Sequence, residues 1–302
     1  MTAGTVAIGG DLTVGRIGLG AMRLTGPDLW GPYPDWNAGI RFLREAVESG
    51  IAFIDTADLY GPHANEMLVH DALYPYADGV TVATKGGLVR GRPDFTSFGA
   101  IGNPEYIRQA ARLSARRLGI DCIDLYYLHS GRAADVPFED QIGALAGLQQ
   151  DGVIRHIGLS NVSVRQLAIA RSMVDVVAVT AHYNIVDRSN RDLLQVCSEA
   201  GIAFVSWQPV SLIPPVDERT NLQGPDSVRD VLEPIAQRHE ISLPQLSLAW
   251  LLHQSPWMLA IPGTVSIDHV RDNLDAMTVE LLPDELSAID ALANVASAVL
   301  PL

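Results

Sequence analysis

Short apolar runs alternate with amphipathic stretches along nearly the whole chain. The runs at residues 16–20, 51–55, 80–85, 122–128, 154–159, 176–181, 202–207 and 259–261 have the length and content of buried strands. Between them, apolar residues recur at helical spacing over 38–49, 104–118, 138–150, 189–200 and 244–253. Asn103 before Pro104 reads as an N-cap followed by proline at the first helical position. Gly50, Gly119 and Gly201 stand where helices should end ahead of the next strand. Eight strand–helix units without a break predict an α/β fold, a (β/α)8 TIM barrel forming one domain over residues 1–302. The rival, an open doubly wound sheet, would carry GxGxxG after its first strand, and no such motif is there.

Ahead of the first barrel strand, 6–8 and 12–14 flank Gly9-Gly10-Asp11, a hairpin signal, and the expected role of this hairpin is to close the barrel bottom. Two longer irregular stretches, 86–102 and 209–225, follow the third and seventh strands. Both therefore belong to the C-terminal face, where barrel active sites are built.

Composition narrows the classes. The chain has 302 residues, of which 48% are hydrophobic, enough for one large core. No apolar run reaches the ~18 residues needed for a membrane span, and the first ten residues lack the features of a signal peptide. A net charge of −14 repels phosphate backbones, so no nucleic-acid partner is expected, and an anionic cofactor would need a local cradle of backbone N–H groups. Cys122 and Cys197 are the only cysteines. Both lie in apolar stretches and read as small buried hydrophobes, so neither a disulfide framework nor a metal site is expected, and a reducing cytoplasm is the expected setting.

Lys85 is the only lysine; every other long cation is an arginine. Lysine is a compact charge with an adjustable pKa, whereas arginine stays ionised and presents a broad fork. Lys85 ends its strand, as do Asp55 in "FIDTA" and His129 in "LYYLHS", and Tyr60 follows Asp55 by five residues. Parallel barrel strands bring such ends to one rim. Taken singly, these four have ordinary readings: a turn cap, a rim aromatic, a surface charge, a loop histidine. Together they can reduce a carbonyl. An ammonium beside a phenol favours the phenolate and is expected to bring its pKa of ~10 down toward the working range. Asp55 would keep the buried ammonium charged, and His129 would hold the carbonyl oxygen. A barrel using Lys85 as a Schiff-base nucleophile is a rival, although Asp55 would oppose the low pKa it needs.

The stretches "GLGAMRL", "FIDTADLYG", "VATKGG", "DLYYLHS", "IRHIGLSN", "AHYNIVDR", "IAFVSWQP" and "IPGT" resemble the aldo-keto reductase family, in order and over nearly the whole chain. The resemblance implies a nicotinamide-dependent barrel without a metal, with the Asp55–Tyr60–Lys85–His129 tetrad and a small-molecule carbonyl substrate. It implies cofactor contacts at Gly20, Ala21 and Met22, at Asp55, at Ser160 and Asn161 for the carboxamide, and at Trp207 stacked on the nicotinamide. It extends these contacts to Gln208, Pro209 and Val210, to Gly263, Thr264 and Ser266 at the phosphates, to His269 at the 2′-phosphate, and to Asp272 and Asn273 toward adenine. Asp272 and Asn273 also have a plain reading as a solvated helix face. Three positions depart from the family pattern. Thr180 stands where glutamine is usual, Gly263 where many members have lysine, and His269 where they have arginine. NADPH is still favoured over NADH. The loops resemble a bacterial branch that includes pyridoxal reductases; Trp30 is a candidate substrate contact and could form an aromatic wall with Tyr33, Trp36 and Trp207, although Trp30, Tyr33 and Trp36 have a rival reading as scattered surface aromatics. Two alternatives within the fold remain open: a cofactor-binding regulatory protein without turnover, and an enzyme that recycles bound NADP as an epimerase or lyase. Oligomeric state has no sequence signal.

Overall fold

The computed structural model describes residues 4–93, 97–212 and 225–292, with the side chains of 225–227 outside that description. The chain opens with the hairpin β1 (Thr5–Ile8) and β2 (Leu12–Gly15), then β3 (Leu19–Gly20), α1 (Trp36–Glu48), β4 (Phe53–Asp55), α2 (Ala64–Leu73) and β5 (Thr81–Gly86). A small hairpin follows, β6 (Leu88–Arg90) and β7 (Phe98–Ala100), then α3 (Pro104–Leu118), β8 (Ile123–Leu128), α4 (Phe138–Gln150), β9 (Ile154–Ser160) and α5 (Val164–Arg171). The remainder runs β10 (Val176–His182), α6 (Arg191–Ala200), β11 (Ala203–Trp207), α7 (Pro225–Arg238), α8 (Leu243–Gln254), β12 (Met258–Ala260), α9 (Ile267–Asp275) and α10 (Pro283–Ala291).

Eight strands pair in parallel in the order β12-β11-β10-β9-β8-β5-β4-β3. A parallel bridge between Ile17 and Ala260 joins the two ends of that order. There Gly18 N–H donates to Ala260 O at 2.9 Å, and Ala260 N–H to Arg16 O at 2.9 Å. Across the same seam the Arg16 guanidinium donates to the carbonyls of Met258, Leu252 and Ser255 at 3.1, 2.6 and 2.5 Å. The ring is closed, and it is the (β/α)8 barrel that the alternation predicted.

Local chemistry explains where the helices begin and end. Asn103 Oδ1 accepts from the N–H groups of Glu105 and Tyr106, and Gly119 ends α3 at φ +71°. Such caps satisfy N–H groups that the first helical turn leaves without partners. Ser163 with Gln166 and Ser242 with Gln245 form reciprocal capping boxes at α5 and α8. The stretch 86–102, read as irregular, contains the β6–β7 hairpin, in register from Leu88–Ala100 to Arg90–Phe98. Part of the other stretch, 209–225, lies outside the described residues. Cys122 departs from its expected burial: it sits exposed just ahead of β8, while Cys197 is buried. The apolar run begins at Cys122, one residue before the strand does.

The barrel interior is filled by Phe53, Ala83, Leu125, Tyr127, Ala178, Val205 and Leu259, and the β1–β2 hairpin adds Val6, Ile8, Leu12 and Val14 to the same cluster. Each fully buried aliphatic side chain contributes about 1.5–3 kcal/mol. The hairpin's turn is tied to β9 by Asp11, whose carboxylate accepts from Arg155 at 2.5 Å and lies 2.7 Å from His156 Nε2. The interior is thus shut at one end, and a site can open only at the other.

Candidate active site

The strand register brings three of the four expected residues to one rim. Asp55 ends β4 opposite Gly20 on one side and Ala83 on the other, and Lys85 in β5 lies opposite Tyr127. His129 follows β8 directly, its N–H bonded to Gly86 O at 2.8 Å. Tyr60 arrives from the loop after β4, in a turn closed by its N–H to Ala57 O at 3.2 Å. Asp55, Lys85 and His129 are all buried, and Tyr60 is half-buried.

Lys85 Nζ donates to Asp55 Oδ1 and, at 2.9 Å, to Thr56 O. Its third hydrogen-bonding direction faces the Tyr60 phenol, whose ring centroid is 5.3 Å from Nζ. Tyr60 and His129 meet edge to face, with centroids 6.0 Å apart. Below the ammonium lies the Tyr127 ring, 5.7 Å away, so the apolar interior ends directly under the charge. Burial alone would drive Lys85 down, but Asp55 and then Tyr60 more than offset it, and the amine sits above its ordinary value. Burial pushes the Asp55 carboxyl up against the pull of Lys85. The pair holds its charges because each desolvated ion faces the other.

Burial, with the positive charge of Lys85, pulls His129 well below the usual histidine range, so its ring is neutral. For Tyr60 the expected direction is corrected. Burial raises the phenol, Lys85 pulls it back only in part, and the net position lies above its ordinary value. The Asp55 and Asp58 carboxylates add to that rise. Tyr60 therefore keeps its proton, and Lys85 favours the phenolate only as one forms.

The other expected residues fall into two groups. At the ends of β9 to β11, Ser160 is buried beside Asn161, whose Nδ2 donates to Ser160 Oγ at 3.1 Å. Thr180 lies in register with Ser160, and its buried Oγ1 has no hydrogen-bond partner among the described residues. Trp207 Nε1 donates to Asn161 Oδ1 at 3.1 Å. Gln208 is exposed, Pro209 buried and Val210 half-buried against the core. The second group flanks the seam. Gly20 is packed so tightly that a Cβ there would lie 2.8 Å from Ile261 O, which brings Gly20, Ala21 and Met22 alongside 261–263. Thr264 Oγ1 accepts from Ser266 N–H at 3.0 Å and lies 3.3 Å from His269 Nδ1, and Ser266 caps α9. Asn273 is buried and Asp272 exposed, so these two do not share a face.

Trp30 is half-buried in a loop held beside Tyr60 by the Gly61 N–H to Leu29 O bond of 3.2 Å, and the Arg90 guanidinium stands 5.6 Å from its ring centroid. Trp36 does not belong to an aromatic wall, since it opens α1 and its Nε1 donates to Asp71 at 3.0 Å. Tyr33 packs against the core beneath α1. Two residues escaped the sequence reading. The Arg23 side chain runs beside Gly263, its Cγ and Cδ 3.6 Å from where a Cβ would stand, so a cation accompanies the loop that lacks the usual lysine. His182 stacks on Trp207, with centroids 4.4 Å apart. Arg23 directly follows the expected contact Met22, and His182 lies within "AHYNIVDR", yet the sequence assigns neither side chain a role; only its neighbours in the fold do. Among the described residues no cluster of histidine, cysteine, aspartate or glutamate could hold a metal, and no helix is long and apolar enough to cross a membrane.

Comparison with known proteins places this geometry in context. The model of the Aldo/keto reductase family matches residues 16–294. An uncharacterised oxidoreductase of Schizosaccharomyces pombe is 40% identical over 288 residues, covering 95% of this chain and 89% of the relative. The pyridoxine 4-dehydrogenase of Escherichia coli is 36% identical over 299 residues, covering 97% of this chain and all of the relative (100%). A crystal structure of an aldo-keto reductase from Klebsiella pneumoniae in complex with NADPH superimposes with a TM-score of 0.77 at 25% identity, covering 99% of this chain and 98% of that one.

Proposed function

The chain belongs to the aldo/keto reductase family, and on that premise we propose that this oxidoreductase reduces an aldehyde or ketone with NADPH, Tyr60 supplying the proton. One observation carries the reading. At a single rim, a carboxylate pins an ammonium, the ammonium faces a protonated phenol, and a neutral imidazole meets that phenol edge-on.

The groups around the tetrad suit a dinucleotide. Among the described residues Thr180 Oγ1 is a buried polar atom without a partner, beside Ser160 and Asn161, which suits a carboxamide. Trp207 offers a ring at the end of β11, and the N-terminus of α9 with Thr264 and Ser266 offers N–H groups to phosphate. When bound, NADPH supplies a hydride equivalent to the carbonyl carbon. As that carbon accepts it, the carbonyl π pair moves onto oxygen, and oxygen takes the Tyr60 proton. Lys85 stabilises the phenolate left behind, which regains its proton from solvent. Neutral His129 donates a hydrogen bond to the same oxygen and aligns it. Asp55 keeps Lys85 an ammonium, so Lys85 does not serve as a Schiff-base nucleophile.

Support for NADPH over NADH comes from the NADPH-bound neighbour and from Arg23 beside Gly263. The pyridoxine 4-dehydrogenase relative and the Trp30 loop point to a flat aromatic aldehyde such as pyridoxal as the first substrate to try. We further place the protein in the cytoplasm as one barrel domain, in keeping with its two free thiols. The test is a panel of aldehydes, ketones, sugars and pyridoxal, each assayed with NADPH and NADH. Tyr60→Phe should lower kcat for any active carbonyl by ~100-fold or more while NADPH affinity holds. Near-normal turnover in that variant would sink the assignment.

A further inference from the structure

Beside Trp207 stands a histidine to which the tetrad chemistry gives no task. His182, the last residue of β10, lies in register with Trp207, and the two rings are tilted 35° to each other. Its Nδ1 is 2.9 Å from Asp187 Oδ2, and its Nε2 is 3.2 Å from Asn184 Nδ2. The surroundings settle which ring nitrogen carries the proton. Asn184 Oδ1 accepts from the N–H groups of Val186 and Asp187 at 3.0 and 2.7 Å, so the other arm of that amide must be its NH2. That NH2 donates to Gln208 O at 3.2 Å and to His182 Nε2. Nε2 is therefore an acceptor, and Nδ1–H donates to Asp187. The buried Asp187 carboxylate suits this role. Although burial pushes it up, the bonds from His182 and Ser189 hold it below the usual range.

The same ordering continues beyond the indole. Trp207 Nε1–H donates to Asn161 Oδ1, which turns Asn161 Nδ2 toward Ser160 Oγ. Asn161 and Gln208, the residues on which this arrangement hinges, both have φ of +52°. A non-glycine held there is strained and must be kept in place by its surroundings. Asn184 does so for Gln208 through its carbonyl. A continuous line thus runs from Asp187 through His182 and Trp207 to Asn161 and Ser160, across the ends of three neighbouring strands.

We propose that His182, oriented by Asp187, is a positioning residue for the nicotinamide end of the cofactor. It seats the Trp207 ring and, through that ring, presets the side chains of Asn161 and Ser160. This rests on the NADPH reading above. The need for such a device follows from Thr180, whose short side chain reaches less far than a glutamine would, so that more of the orientation falls to Asn161 and Ser160.

The experiment compares two ligands on the full chain: NADPH, and adenosine 2′,5′-bisphosphate, which carries only the adenosine end. Fluorescence titration gives a Kd for each. His182→Phe keeps an aromatic ring but loses both hydrogen bonds; it should bind NADPH about 10-fold more weakly and the bisphosphate unchanged. Asp187→Ala should show the same split, and Asp187→Asn, whose single oxygen can accept from His182 or from Ser189 but not from both, should recover only part of the NADPH affinity. Equal weakening of both ligands in these variants overturns the proposal, because the damage would then be general. Unchanged NADPH affinity in His182→Phe and Asp187→Ala overturns it too. Wild-type protein that binds no NADPH would instead remove the cofactor reading beneath it, so the two failures are told apart.

Discussion

At the lower end of the barrel, Val6, Ile8, Leu12 and Val14 close the ring by apolar packing, and the hairpin that carries them turns on two glycines, Gly9 and Gly10, at φ +62° and +85°. Its charged turn residue, Asp11, is paired with Arg155 and His156. The upper end is different in each respect. Its loops place Asp28, Leu29, His63, Asn161 and Gln208 in the left-handed region without the relief that glycine gives. It also buries a lysine and an aspartate, and leaves Asp55 Oδ2, Asp58 Oδ1, His129 Nδ1 and Thr180 Oγ1 without partners among the described residues. One end is chosen for stability. The other carries strain, buried charge and unmet polar groups, which a reacting molecule could satisfy.

If that contrast is real, changes at the two ends should separate activity from stability. The largest effect is expected at Lys85. Lys85→Met should cut kcat by ~100-fold or more and, by stranding a buried Asp55, should also destabilise the fold by about 3 kcal/mol. Paired turnover and denaturation measurements check it; a variant of full stability would mean that the upper end depends less on the ion pair than its burial implies. Next comes the plug. Ile8→Ala removes a side chain with no exposed surface and should cost about 2–5 kcal/mol, with turnover per folded molecule unchanged. A fall in kcat there, at a temperature where the variant is fully folded, would show that the two ends are mechanically coupled.

The smallest effect sharpens the comparison through pH. Asp58 is pushed up to about 8, first by burial and then by its neighbour Glu66. The folded protein therefore keeps a proton that the unfolded chain loses near pH ~4, so stability attributable to this group falls as pH rises from ~4 to ~8. Asp58→Asn should gain on the wild type across that window, by roughly 1–3 kcal/mol between pH 5 and 8. Parallel stability profiles from chemical denaturation at several pH values would rule out this cost.

Much of this is legible in the sequence. Strand ends could be read because buried runs stop at polar residues, and this placed Asp55, Lys85 and His129 together on one rim. Helices α3 and α4 are found at the expected boundaries because capping and glycine signals are local. What failed depends on surroundings. The direction of the Tyr60 shift turns on how deeply the phenol is desolvated, which no spacing records. The hairpin of β6 and β7 was hidden in a stretch of glycine, arginine and proline. The His182 line needs β9, β10 and β11 side by side, and in the sequence α5 and α6 separate the three strand ends that it joins.

Arg16 has one further consequence, for how the molecule comes into being. The carbonyls it grips lie 236–242 residues further along the chain. During synthesis the first barrel strand, paired on one side with β4, must therefore wait for residues 258–260 to emerge before its second neighbour, β12, exists. A nascent chain stopped short of Met258 already holds Asp55, Tyr60, Lys85 and His129, yet has nothing with which to complete the ring. The waiting edge is only two residues long at β3, which gives stray strands little to pair with in the interval.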